Sequence, residues 1–331
     1  MNADDDDPMT TLTAQMRRLL EAQQALGWKP VEQLTPALAR SQTTLAQAMA
    51  KVLESQGKSG AAVLVPHEEL HYETGGTSQP VRLYRAAGTP ANAPLILYFH
   101  GGGWVDGDLA AAEGSAMALA RRTGALVASA DYSRAPERRF PAAHADAQAA
   151  YQWLLAQASS LGADPHRIAL VGEAAGGNLA ANVALQARDA ALRQPVCLVL
   201  IHPIVGTDTS SYSYNRNEDA RPLSKAGMRW YFNQAIDPQY LEDKRLNLGD
   251  FNLGNLPNTT IVTADVDPLM FEGKLLGHKL ESSNVPTRYM NFEGVTHGFF
   301  GLDAVLREAR SAQALVAEEL TAAFTVKAAG K

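Results

Sequence analysis

The chain has 331 residues, a formal net charge of −6 and a single cysteine. That length suits one large α/β core without a second catalytic domain, and the modest charge with scattered basic residues excludes a nucleic-acid or anionic-membrane partner. One cysteine excludes an intramolecular disulfide, and no run of about 18 apolar residues is present to span a bilayer.

In chain order, residues 1–10 read as a disordered start, with the Asp4 to Asp7 run solvated. The opening Met1-Asn-Ala-Asp-Asp-Asp-Asp-Pro has neither the basic nor the apolar stretch of a signal peptide, so a soluble, cytoplasmic protein is expected. Residues 11–60 carry two amphipathic helices. Met16, Leu19 and Leu20 recur at helical spacing over Thr13 to Leu26, and Leu38, Leu45, Met49 and Leu53 over Pro36 to Leu53, with Gly27 and Gly57 near the ends.

Residues 61–205 form the first part of an α/β core, in which aliphatic strand-like runs alternate with Ala-rich helical stretches. This is the pattern of a mainly parallel sheet covered on both faces. The buried run Pro94 to Phe99 leads into His100-Gly101-Gly102-Gly103-Trp104. Glycines at a strand end free backbone N–H groups to face the carbonyl oxygen on which charge develops in acyl transfer; the plain alternative is a flexible loop.

Farther on, the strand-like Ile168 to Gly172 enters Gly172-Glu173-Ala174-Ala175-Gly176-Gly177, and a helix follows from Asn178 to about Arg188. This is the G-x-S-x-G nucleophile elbow with alanine in place of serine. Its glycines allow a strand to turn sharply into a helix around a strained central residue. Cys197, within the apolar run Pro195 to Ile201, reads as a buried, inert thiol. Residues 206–245 read as an insertion, with Asn215, Asn217 and Pro222 in a loop and Met228 to Phe232 on a helix. Residues 246–331 complete the core: the strand-like Thr260 to Ala264 ends at Asp267-Pro268-Leu269, and Thr287 to Phe292 at Gly294-Val295-Thr296-His297-Gly298-Phe299.

Together with Asp131-Tyr-Ser-Arg-Ala-Pro-Glu137 and Phe140-Pro-Ala142, these motifs resemble the bacterial hormone-sensitive-lipase-like family of α/β-hydrolase esterases. The likeness covers roughly residues 75 to 325 and departs at Ser133-Arg134, where the arginine is displaced by one place. It implies an α/β-hydrolase fold with a mostly parallel central sheet, flanking helices and a helical cap built from residues 11–60 and 206–245. It also implies catalytic positions, in the order Ser, Asp, His: Ala174 at the nucleophile, Asp267 as the acid and His297 as the base. Asp265 is the rival acid, two residues earlier.

The oxyanion donors implied are the backbone N–H groups of Gly102, Gly103 and Ala175, with Gly101 supplying the turn, and Trp104 is expected at the substrate pocket. Met228, Trp230 and Tyr231 stay evenly balanced between pocket wall and helix core. Glu173 reads as loop support and His202 as a hydrogen-bonded structural residue. Asp131, Arg134 and Glu137 read as loop braces, and Pro136 and Pro141 are expected in cis from the family. There is no metal-ligand spacing and no phosphate-binding Gly-x-Gly-x-x-Gly after a strand, so neither metal nor cofactor is implied. The expected partner is a small-molecule ester of short to medium acyl length, and a homodimer stays open.

Alanine at 174 has three readings. An engineered serine-to-alanine knock-out of an otherwise intact esterase site, leaving this chain inactive, is favoured, because the base, acid and oxyanion glycines all survive. A natural ligand-binding protein on the hydrolase fold is the alternative. A different nucleophile such as Glu173 is the weakest, since no acid stands at the apex of the elbow.

Overall fold

The computed structural model describes residues 8–58 and 64–325. Of the expected disordered start, Pro8–Thr11 form a 3-10 turn, while residues 1–7 and the boundary expected at 60/61 lie outside the described residues.

Among the described residues one eight-stranded sheet runs in the order β1-β2-β4-β3-β5-β6-β7-β8. Its strands are β1 His67–Thr74, β2 Thr77–Tyr84, β3 Ala93–Phe99, β4 Leu126–Ala130, β5 Ala163–Glu173, β6 Leu198–Ile201, β7 Thr259–Val266 and β8 Thr287–Thr296. The pairs β1/β2 and β2/β4 are antiparallel and the rest are parallel. The parallel strands are apolar along their length because both faces are covered, and successive side chains alternate between them. Leu95, Leu97, Phe99, Leu170 and Leu200 enter one core. Their neighbours Ile96, Tyr98, Val171, Val199 and Ile201 enter the other.

The first face is covered by α5 (Ala142–Gln157), α6 (Ala175–Asp189) and α9 (Met270–Ser282), and the second by α4 (Glu113–Thr123) and α10 (Arg307–Thr325). No helix among the described residues is long and apolar enough to cross a membrane.

The N-terminal segment contains α1 (Ala14–Ala25), α2 (Pro36–Arg40) and α3 (Leu45–Ser55). The single helix expected over Pro36 to Leu53 is therefore broken at Ser41 to Thr44. Thr44 starts a new helix with a capping box: its hydroxyl accepts from Gln47 N at 3.2 Å, and Gln47 Oε1 accepts from Thr44 N at 2.9 Å. Between β6 and β7 lie α7 (Tyr212–Arg216) and α8 (Lys225–Ala235). Trp230 Nε1 on α8 donates to Leu34 O at 3.1 Å, which joins the insertion to the N-terminal segment.

His144 on α5 is buried, and its Nε2 lies 2.9 Å from Asn178 Oδ1 on α6. Burial lowers its affinity for a proton, from an ordinary 6.5 down to about 4. Between those values the unfolded chain takes a proton that the folded chain refuses, so stability falls as pH drops through that window. At about 1.4 kcal/mol per tenfold change in proton affinity, this residue contributes up to about 3 kcal/mol of acid lability. Urea unfolding of His144→Gln, which keeps a donor for Asn178, is expected to show a shallower loss between pH 6.5 and 4.5 than the parent chain; parallel curves would assign the acid lability elsewhere.

Candidate active site

At the elbow, β5 ends at Glu173 and α6 begins at Ala175. Ala174 between them has φ 49° and ψ −114°, a conformation that residues with a side chain rarely adopt. Backbone bonds hold it there: Ala174 N donates to Ile201 O at 3.0 Å, and Ala174 O accepts from Ile204 N at 3.1 Å and Asn178 N at 3.2 Å. The flanking glycines are sterically required. A Cβ on Gly172 would collide with the carbonyl of Gly176, and one on Gly176 with the carbonyls of Phe99 and His100. Gly172→Ala and Gly176→Ala are each expected to cost about 3 kcal/mol or more, since the obstructing atoms are backbone and cannot swing aside; thermal melts within a degree or two of the parent would contradict this packing.

The same close approach sets the oxyanion loop beside the elbow. A Cβ on Gly101 would lie 3.3 Å from the Cβ of Ala174. Gly102 (φ 117°) and Gly103 (φ 57°) have left-handed backbone and face Asp106 and the Tyr231 ring too closely for any side chain. The loop is braced from below. Tyr132 Oη donates to His100 O at 2.8 Å, and the His100 ring reaches Gly101 O (2.7 Å) and Asp131 Oδ1 (3.1 Å). Arg134, despite its displaced position, donates to Gly107 O at 2.7 Å and Asp131 Oδ2 at 3.1 Å, and Glu137 pairs with Arg40 at 2.6 Å. The peptide bonds before Pro136 and Pro141 are cis.

At the acid and base positions, His297 Nδ1 lies 2.8 Å from Asp267 Oδ2. Asp267 is fully buried, its Oδ1 accepts from Leu269 N at 2.9 Å, and Asn217 Nδ2 donates to its backbone oxygen at 3.1 Å. Asp265 pairs instead with Arg216 at 3.2 Å. The structure thus brings Asp267, and not Asp265, to the histidine.

Three residues depart from the sequence expectations. Trp104 is buried, with its ring 5.8 Å from His144 and 6.5 Å from Phe232, and is not among the residues that line the cavity described below. Its indole packs in the core behind the glycine loop with Phe140 and Phe232, and Ala135 N donates to its carbonyl at 2.8 Å. His202 is buried, yet neither ring nitrogen has a hydrogen-bond partner among the described residues. Its ring centroid is 4.2 Å from that of His297, and burial together with His297 keeps it far below the ordinary histidine range, hence neutral. Glu173 is more than loop support. It is buried, accepts from Tyr98 Oη at 2.8 Å and lies 3.6 Å from His202 Nε2, and burial raises its carboxyl against the lowering effect of hydrogen bonds from Ser115 and Tyr98.

A cavity of about 760 Å³ opens at Ala174. His297, Gly101, Gly102 and Gly103 line it together with Trp28, Val31, Leu45 and Met49 from the N-terminal segment and Leu223, Met228 and Tyr231 from the insertion. Met228 and Tyr231 thus belong to the wall, whereas Trp230 packs toward Leu34.

Asp106 also lines the cavity, a position that sequence reasoning missed. Tyr231 Oη donates to its Oδ2 at 2.7 Å, tying α8 to the oxyanion loop. Burial pushes the Asp106 carboxyl up to about 6, opposed first by the Tyr231 bond and then by His100, Arg40 and Arg134. Removing that bond in Tyr231→Phe is expected to move the Asp106 midpoint higher, as followed by carboxyl-carbon NMR titration; an unchanged midpoint would mean that the two side chains do not meet in solution.

Known proteins match this geometry. A family model described as the α/β-hydrolase fold matches residues 96–301. The chain belongs to that α/β-hydrolase family. The carboxylesterase NlhH of Mycobacterium tuberculosis is 34% identical over 258 residues, 75% of this chain and 81% of the relative. The ethyl acetate hydrolase of Pseudomonas putida is 34% identical over 251 residues, 74% and 79% of the two chains. Among solved structures, a serine-to-alanine mutant of an α/β-hydrolase enzyme from the metagenome of Lake Arreo, Spain, superposes with a TM-score of 0.84 at 31% identity, covering 95% of this chain and 99% of the other. These α/β-hydrolase relatives support carboxylic ester hydrolysis as the activity of the scaffold.

Proposed function

We propose that this is a hormone-sensitive-lipase-like carboxylesterase site whose acyl-enzyme chemistry is stopped at one atom, the hydroxyl oxygen that serine would carry at position 174. The observation that supports this most directly is the elbow itself: Ala174 keeps the strained nucleophile conformation while the Asp267–His297 bond of 2.8 Å stands ready beside it. With serine present, His297 takes the hydroxyl proton as the oxygen attacks the ester carbonyl, and Asp267 fixes the ring and stabilises the imidazolium. The backbone N–H groups of Gly102, Gly103 and Ala175 receive the oxyanion. His297 then returns the proton to the leaving alkoxide, and a water repeats the sequence to release the acid.

The N-terminal segment and the insertion act as a cap. Their apolar side chains in the cavity wall suit a small ester of short to medium acyl length and exclude water from the reacting carbonyl. Trp104 supports this pocket from behind the loop.

Loss of the nucleophile in a serine hydrolase costs about a millionfold in kcat, which puts this chain below ordinary assay background. Ala174→Ser is expected to hydrolyse short-chain p-nitrophenyl esters rapidly, and the same chain carrying His297→Ala to be inactive again. A folded serine form without hydrolysis, combined with saturable binding of a ligand by the alanine form, would replace the inactivated-esterase reading with that of a ligand-binding protein. Full activity in the double variant would reject His297 as the base.

A further inference from the structure

The ends of β6, β7 and β8 bring together three side chains that ester cleavage does not need as a set. One ligating atom from each of His202, Asp267 and His297 lies within 4.8 Å of the other two. The two imidazole rings have centroids 4.2 Å apart at 50°. His202 is 1% exposed, and neither nitrogen has a hydrogen-bond partner among the described residues, Glu173 Oε2 standing 3.6 Å from Nε2. A buried polar group left without a hydrogen bond is costly, so an imidazole in that state beside a second imidazole and a carboxylate has the make-up of a ligand set for an electron-pair acceptor.

We infer that His202, His297 and Asp267 form a binding site for a divalent first-row transition-metal ion of the Zn²⁺ type. Two imidazoles and a carboxylate suit zinc and its neighbours, whereas Mg²⁺ and Ca²⁺ prefer all-oxygen ligands. With bonds of about 2.1 Å, tetrahedral ligand atoms stand about 3.4 Å apart, so a pair at the 4.8 Å limit has about 1.4 Å to close, within the reach of side-chain rotation. Glu173 Oε2, 3.6 Å from His202 Nε2, places a second carboxylate at the edge of the cluster. Both histidines line the cavity, so the ion stays open to water or a ligand from that side. Nothing in this site depends on ester turnover, because its ligands are present whichever residue occupies 174.

The test uses the chain as it stands, stripped with EDTA and dialysed against micromolar Zn²⁺. One bound equivalent is expected in the parent, absent from His202→Gln and from His297→Gln, with Mg²⁺ failing to replace it. Co²⁺ in the parent is expected to give the visible absorption of a low-coordinate, histidine-ligated ion, a readout that needs no variant to fold. Equal zinc stoichiometry in the parent and in folded His202→Gln, or a Co²⁺ spectrum no different from the hydrated ion, overturns the site. In the Ala174→Ser form, Zn²⁺ is expected to inhibit hydrolysis reversibly by occupying His297. A serine form that never hydrolyses leaves the dialysis result standing and counts against the esterase reading alone.

Discussion

The contact on which the site depends is the approach of the start of α6 to the end of β3. Gly176 lies against the carbonyls of Phe99 and His100 with no room for a β-carbon. Since β3 and β5 are neighbouring parallel strands, with Phe99 opposite Gly172, their carboxyl ends leave the sheet side by side. The turn out of β5 must be sharp to clear β3, and the turn out of β3 must be rich in glycine to pass the elbow. Oxyanion loop and nucleophile position are thus consequences of one packing constraint. The same constraint places the N-terminus of α6, with its free N–H groups and positive dipole end, beside the cavity at Ala174. Asp267 and His297 follow β7 and β8, farther along the same edge, at the carboxyl ends where an open parallel sheet places its ligand sites.

Burial then decides the charges around the cavity. Asp267 is fully buried but well served, with one oxygen on Leu269 N and the other on His297, so the carboxyl is fixed in place against the imidazole. His202, tilted 50° against the His297 ring with centroids 4.2 Å apart, is pushed by burial and by His297 well below the ordinary histidine range. Burial raises the Glu173 carboxyl, and hydrogen bonds from Ser115 and Tyr98 oppose that rise. Asp106 stands closer to the loop, and its carboxyl, held up to about 6 and tied to Tyr231, links the electrostatics of the oxyanion region to the position of α8.

What could be read from the sequence follows from range. Gly172, Gly176 and Gly101 to Gly103 are legible because a close backbone approach leaves glycine as the only choice, and the strand-like runs ending at Asp267 and His297 place those residues at strand ends. The break between α2 and α3 was also written locally, in Thr44-x-x-Gln47, but the apolar spacing running across it masked the signal. Trp104, His202 and Asp106 were not legible, because their surroundings come from distant segments: Tyr231 is 125 residues from Asp106, and the ring over His202 belongs to a residue on another strand end. His202, Asp267 and His297 lack ligand spacing along the chain for the same reason, and meet only through the order of β6, β7 and β8.

Alanine at 174 separates the cost of this architecture from its use. A residue with a β-carbon at φ 49° costs about 1–3 kcal/mol, which glycine would largely relieve, and the strain is useful only if a side chain must project from the elbow. The hydrogen bonds that hold residue 174 are backbone bonds, to Ile201, Ile204 and Asn178, so the elbow does not depend on any group beyond the β-carbon. Ala174 therefore keeps its strained backbone beside the glycine loop and the Asp267–His297 pair through main-chain contacts alone.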